Sequence, residues 1–248
     1  MVQYGFFFDE TRCTSCYECA VACKDWNDLP PGPAKMLRVF DWETGDFPNI
    51  RIHNLFAPCY HCENPVCVDA ANGAMYKEPK YGAVLIDPDK TTSIDLRKAN
   101  EACPYGCIAF ESDAPNAKAV MCNMCIDKLE QGEKPICVMS CSMRALDFDT
   151  MDNLRKKYGN LQQLEGMPDP ALVKPSVIIK ARAAKKSYVR YDANKAIRLL
   201  IRRDPLPPVL DSPEEVAKVP REIIGRGRLV LKPRNVREAL EVSRNDEG

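Results

Sequence analysis

The chain has 248 residues, 35 basic and 35 acidic side chains, and 13 cysteines. Its start, MVQYGFFFDE, lacks the basic and apolar regions of a secretory leader, and no apolar run approaches the roughly 18–20 residues that span a bilayer. These features argue against a disulfide framework, the default for a short secreted chain with an even cysteine count, and for thiols that bind metal in a soluble protein. Charge is unevenly spread. Residues 151–248 hold 21 Lys and Arg against 13 Asp and Glu, and the matching acidic excess lies in 1–150 with all the cysteines.

In chain order, YGFFFD at 4–9 predicts a strand leading into Cys13-x2-Cys16-x2-Cys19-x3-Cys23. That is the spacing of bacterial ferredoxins, in which three close thiolates wrap one [4Fe–4S] cube and the fourth ligates the neighbouring cluster. A structural zinc site uses two CxxC-type pairs rather than one compact run. The next group is Cys59-x2-Cys62-x4-Cys67, with Ala71 where a fourth cysteine is expected. The stretch TSIDLRKANEACPYGC (92–107) ends as a ligand segment ends, at Cys103-Pro104. Ser93, Leu96 and Ala99 stand where its other three thiolates belong. The last group, Cys122-x2-Cys125-x11-Cys137-x3-Cys141, taken alone would also suit a zinc ribbon.

The exchange of fourth ligands sorts the thiols. Cys13, Cys16 and Cys19 go with Cys141; Cys122, Cys125 and Cys137 go with Cys23; Cys59, Cys62 and Cys67 go with Cys103. The remaining cube would need positions 71, 93, 96 and 99, all non-cysteine. Loss of all four ligands of one cube, with all four of its partner kept, reads as clean removal of one cluster. Side chains such as Leu96 and Ala71 are expected to fill its place. Cys107 is left over and reads as a spare buried thiol, which behaves as a small apolar residue, rather than as a ligand.

Other candidates carry less. His61 lies between two ligands and is assigned to packing or hydrogen bonding; His53 carries no signal. Lys24 and Lys128 lie near ligands, as tuning charges or as solvated lysines. Trp26 and Trp42 cover the cubes or fill the core. There are no catalytic candidates: no Ser-His-Asp set, carboxylate pair or phosphate loop emerges, and GRGR at 225–228 is too short for a dinucleotide fingerprint.

From 151 the character changes. MDNLRKKYGNLQQL predicts an amphipathic helix and KPSVIIKAR an extended strand. ANKAIRLLIRRD is a short basic amphipathic segment, RRDPLPPVLDSP a proline-rich break, and EEVAKVPREIIGRGRLVLKPRNVREAL mixes helix and strand signals. Residues 151–248 are read as an arm that wraps the core and a partner. Nucleic acid is disfavoured, because only Tyr188 and Tyr191 interleave the basic residues.

The segments QYGFFFDETRC…ACKDWNDL, APCYHCENPVC…NGAMY, ACPYG and KPICVMSCSMRALDF followed by LRKKYG resemble the iron–sulfur subunits of molybdopterin oxidoreductases of the dimethyl sulfoxide reductase type, over about residues 3–180. Ser142 stands where that family usually has proline. The three-cube pattern is similar to small subunits of the pyrogallol–phloroglucinol transhydroxylase kind, although the extra β domain that ends those chains is not evident here. The resemblance implies an α+β fold of two ferredoxin-like cluster-binding halves, about 1–50 with 111–150 and 51–110, plus the arm from 151. It implies a non-catalytic subunit with three [4Fe–4S] clusters, docked on a large subunit that carries a molybdenum or tungsten bis-pterin. The Cys13 and Cys122 cubes would lie nearest that subunit, and the lost cube would be the distal one. Either a soluble electron donor or acceptor would then replace a membrane anchor, or turnover would need no net electron exchange. The alternative is a stand-alone soluble polyferredoxin. A cytoplasmic location is expected, or export together with a partner that carries a signal.

Overall fold

The computed structural model describes residues 2–45, 50–183, 194, 198 and 229–243. Helix and strand are mixed, as an α+β class requires. The strands are β1 (Tyr4–Asp9), β2 (Leu37–Thr44), β3 (Arg51–Pro58), β4 (Met75–Lys77), β5 (Val84–Ile86), β6 (Ala109–Phe110), β7 (Ala119–Val120), β8 (Leu146–Thr150) and β9 (Val177–Lys180). The helices are α1 (Glu18–Trp26), α2 (Val66–Ala70), α3 (Asp95–Ala102), α4 (Ile126–Glu130), α5 (Ile136–Met139), α6 (Met151–Tyr158) and α7 (Val236–Ser243).

β1 is the centre of the one three-stranded sheet among the described residues. It pairs antiparallel with β8 and parallel with β9. A strand covered on both faces reads as a continuous apolar run rather than an alternation, which is why YGFFF shows no period of two. Phe7 turns to one face, where it packs with Met151, Leu154 and Ile178 while the Tyr158 ring stacks on it at 3.5 Å. Met151, Leu154 and Tyr158 recur at helical spacing, so α6 presents one apolar stripe to the sheet. Thr150 caps this helix, its hydroxyl accepting the Asn153 N–H. Phe6 and Phe8 alternate to the opposite face and meet Phe56 of β3 at ring separations of 5.5 and 6.3 Å. Each fully buried phenylalanine contributes about 1.5–3 kcal/mol.

Gly5 is where β9 and α6 approach β1 most closely. A Cβ there would collide with the Ser176 carbonyl oxygen and the Met151 sulfur. Gly5→Ala is therefore expected to cost about 1–3 kcal/mol by overpacking. It should show as a shorter half-life of cluster absorbance on heating; an unchanged half-life would mean that the sheet relaxes freely.

Asp147 of β8 ties several elements together. It accepts from Lys134 (2.5 Å), Lys157 (2.9 Å) and the Tyr158 hydroxyl (2.7 Å). Burial opposes its ionisation, but these donors outweigh burial and hold the carboxyl well below the usual range.

Residues 1–41, 54–182 and 229–248 group as one compact unit. The strand predicted in KPSVIIKAR is thus a core strand, and the predicted helix at 151 is α6. Trp42–His53 and 183–228 form a second unit. In its described part, Trp42 stacks on His53 at 5.0 Å and the Thr44 hydroxyl lies 2.9 Å from His53 Nε2. ANKAIRLLIRRD apart from Asn194 and Arg198, RRDPLPPVLDSP, residues 214–228 including GRGR, and Tyr188 and Tyr191 lie outside the described residues.

Candidate iron–sulfur cluster sites

The fold gathers twelve of the thirteen thiols into three groups. Cys13, Cys16, Cys19 and Cys141 line one space together with Phe8, Val39 and Phe56. The antiparallel pairing of β1 with β8 makes this possible, because it brings the segment after β1 beside the segment before β8. Cys137 in α5 neighbours Cys122, Cys23 and Cys125, and also Cys19 of the first group. The two groups are therefore adjacent, and α1, which carries both Cys19 and Cys23 one turn apart, runs between them. Cys59, Cys62, Cys67 and Cys103 form the third group.

The chemistry of these groups fits thiolates bound to metal. Burial and a neighbouring thiol push Cys23 up to about 12, and Cys67 likewise to about 12. Burial and adjacent thiols also raise Cys19, Cys62, Cys122 and Cys137. Metal ligation needs thiolates, so such groupings become favourable only around strong cationic centres.

A repeated turn positions the thiols. In the CxxC loops that Cys13, Cys59 and Cys122 open, the residue before the second cysteine is left-handed: Ser15 at φ 52°, His61 at 45° and Met124 at 59°. Its backbone N–H points at the first cysteine, Ser15 to Cys13 at 3.5 Å and His61 to Cys59 at 3.4 Å. The Met124 N–H serves Cys122 in the same way. The reversal keeps both sulfurs and a donor N–H on the same side of the loop. Residues 93–96 depart from this. Ile94 is right-handed, α3 begins at Asp95, and the helix runs until Cys103 ends it in an extended conformation. Leu96, Ala99 and Ala71 are fully buried. Three of the four positions that lack a cysteine are thus packed core, and the fourth, Ser93, accepts the Asp95 N–H at 3.3 Å.

Cys107, the thirteenth cysteine, is buried. Its sulfur donates to the Pro58 carbonyl at 3.4 Å and lies beside the Cys59 and Cys103 thiols, so it adjoins the third group. His61 is buried; its Nδ1 accepts the Val84 N–H at 3.0 Å, which puts the ring proton on Nε2. Burial pulls its pKa down to about 3, so the imidazole stays neutral.

Lys128 is neither a solvated lysine nor a spare charge. It is buried, pairs with Glu133 at 2.8 Å and lies 4.0 Å above the Trp26 ring. Trp26 is 44% exposed and donates to Asp127, whereas Trp42 is buried. Lys24 donates to the Gly32 carbonyl at 3.3 Å. A cation that spacing alone misses is Arg38 of β2, buried against the backbone that follows Cys103. No local signal marks it, because the contact joins residues 67 apart.

Comparison with known proteins agrees with this geometry. The 4Fe-4S dicluster domain family model matches residues 52–151. Over 190 residues the sequence is 39% identical to the B component of anaerobic dimethyl sulfoxide reductase from Escherichia coli (strain K12), covering 73% of this chain and 90% of that one. It is 34% identical over 172 residues to the beta component of formate dehydrogenase 2 (cytochrome c-553) from Nitratidesulfovibrio vulgaris, covering 60% and 78%. It is also 34% identical over 169 residues to the B component of sulfite dehydrogenase from Allochromatium vinosum, covering 60% and 69%. Fold and site together define an iron–sulfur electron-transfer protein with 4Fe–4S clusters. It belongs to the family of iron–sulfur subunits of molybdopterin oxidoreductases that includes the B components of the dimethyl sulfoxide reductases.

Proposed function

We propose that this subunit carries three [4Fe–4S] clusters and relays electrons to or from a molybdenum or tungsten bis-pterin site in a large catalytic partner. The ligand sets are Cys13, Cys16, Cys19 and Cys141; Cys23, Cys122, Cys125 and Cys137; and Cys59, Cys62, Cys67 and Cys103. When bound, each cluster supplies a one-electron centre. The protein's own residues hold the thiolates, exclude water and fix the order of the sites.

One observation carries the count of three. Three CxxC loops share a left-handed turn with an N–H aimed at sulfur, while the fourth segment is a helix whose inward residues Leu96 and Ala99 are fully buried with Ala71. Partner docking near the first two sets is supported by exposed side chains. Cys16 is exposed, and Val21, Met139 and Met143 leave apolar surface uncovered beside the ligands, as an interaction surface does. The third set is then the far end of the wire, served by a soluble carrier. Among the described residues no helix is long and apolar enough to cross a membrane. A hydroxyarene transhydroxylase or dehydroxylase, or a reductase of sulfur, nitrogen or arsenic oxides, fits as the parent reaction. The proposed location is the cytoplasm, or export with a signal-bearing partner. Tandem cluster-binding halves, 1–50 with 111–150 and 51–110, followed beyond β9 by an arm, complete this reading.

The test is elemental analysis of the complex purified from its own host without oxygen. About twelve irons in this chain, four per cluster, together with molybdenum or tungsten in a co-purifying large subunit, is the expected result. Near sixteen irons would overturn the three-cluster count. Iron without a partner or pterin metal would replace the wire with a free polyferredoxin.

A further inference from the structure

Arg38 is only 8% exposed. Its guanidinium donates to three carbonyls, Leu231 at 3.1 Å, Tyr105 at 3.2 Å and Gly106 at 2.5 Å. Carbonyls satisfy its N–H groups but supply no net negative charge, and among the described residues no carboxylate pairs with it. A buried cation without a counter-charge is costly, so native structures pair it. Two of its acceptors, Tyr105 and Gly106, follow Cys103 directly. Its charge also reaches Cys107, whose thiol lies beside those of Cys59 and Cys103. The third thiol set, joined to Arg38 through the backbone after Cys103, thus offers a place for the missing negative charge, although the carboxylates Glu101 and Asp113, unpaired among the described residues, line the same cavity. A four-iron core bound by four thiolates is a net anion, and its potential depends on the charge around it.

Two other cations near ligands differ from Arg38. Lys128, close to Cys125, spends its charge on Glu133. Lys77 donates to the Cys62 and Glu63 carbonyls, but it is partly exposed and interacts with the Glu63 carboxylate. Arg38 is the cation with no such offset.

We propose that Arg38 is the counter-charge of the cluster held by Cys59, Cys62, Cys67 and Cys103, and that it raises the reduction potential of that cluster. The inference rests on the three-cluster reading above. A fixed positive charge stabilises the reduced state, which carries one more electron than the oxidised state. The step is a single electron taken from an added low-potential reductant, with no bond made or broken. The consequence is that electrons entering the wire collect at the third site.

The experiment is a redox titration of the intact complex, followed by electron paramagnetic resonance of the reduced clusters. Wild type is compared with Arg38→Gln, Arg38→Lys and Asn100→Asp. In Arg38→Gln, one signal is expected to lose about tenfold in its reduced-to-oxidised ratio at fixed ambient potential, which is 59 mV for one electron, while the others stay in place. Lysine keeps the charge but cannot reproduce the fork to three carbonyls, so Arg38→Lys should retain most of the ratio. Asn100 lines the same cavity as Arg38 and accepts the Ile108 N–H at 3.2 Å. Its change to aspartate is isosteric and adds a negative charge, so it should lower the same signal even if Arg38→Gln fails to fold. An unmoved signal in Arg38→Gln or in Asn100→Asp would overturn the proposal. So would equal shifts in the glutamine and lysine variants, which would mark Arg38 as a purely structural clamp. Spin counting of the wild type separates the two readings. A count other than three clusters refutes the wire, whereas three clusters with unmoved potentials refute only the role of Arg38.

Discussion

A Cys137→Ser variant, purified without oxygen, is expected to hold about four fewer irons than the roughly twelve of the wild-type chain, counting four per cluster. Cys137 is buried and its thiol lies among Cys122, Cys23 and Cys125, so its loss leaves that group with three thiolates. The damage should not stop at the metal. Helices α4 and α5 have five and four residues, far below the dozen or so at which an isolated helix becomes even marginal in water. They persist because the ligands at their ends are held in place. Metal binding supplies folding free energy in small sites, about 10–16 kcal/mol for zinc-finger peptides, so the segment 122–141 should become open to protease. Cys19 neighbours Cys137, and partial loss at the first set is expected on longer storage. Iron and acid-labile sulfide assays, with limited proteolysis, measure both effects. Full iron content in the variant would remove Cys137 from the ligand set.

The second large effect concerns the segment that has no cluster. Leu96→Ala is expected to cost about 2–5 kcal/mol, the range for truncating a fully buried leucine. Leu96 is completely buried, as are Ala71 and Ala99, and α3 packs against α2. Because α3 ends directly on Cys103, the third site should fail first on heating. The readout is the half-life of visible cluster absorbance at raised temperature, a rate rather than an equilibrium because cluster loss is irreversible. A half-life equal to wild type would mean that Leu96 does not fill a packed core. Supplying cysteines at all four positions, through Ala71→Cys, Ser93→Cys, Leu96→Cys and Ala99→Cys together, should not restore a fourth cluster. The helix beginning at Asp95 replaces the left-handed turn that the other three loops use, and new thiols would point along a helix instead of around a cube. Iron rising to about sixteen would show that the helix melts readily and that side chains alone define the site.

Much of this was legible beforehand for an identifiable reason. Cysteine spacing is a local property, and a CxxC loop folds around its metal whatever the rest of the chain does. The proposed grouping of thiols from distant segments also rests on spacing, since the exchange of fourth ligands is a rule of the loop and helix, not of the sheet. The helix at 151 and the strand at 177 were readable because apolar residues recur there at the right period. The charge boundary at 151 was less informative about packing. β9 comes from the basic side of it, yet pairs with β1 because ladder hydrogen bonds depend on exposed backbone and apolar faces, not on net charge.

What the sequence determined by itself was therefore the set of thiols and their spacing, from which the partition into three ligand sets is proposed. What only the tertiary structure decided was how the fourth place is filled, by α3 packed on α2 instead of a bare loop, and which charges stand beside the clusters. Lys128, near a ligand in sequence, is neutralised by Glu133, while Arg38, remote in sequence, lies buried behind Cys103 with no carboxylate partner among the described residues. The physical reason is the range of the forces involved. Ligand spacing acts within a turn of chain, but burial and Coulomb interaction act through space, between segments that the sequence does not pair.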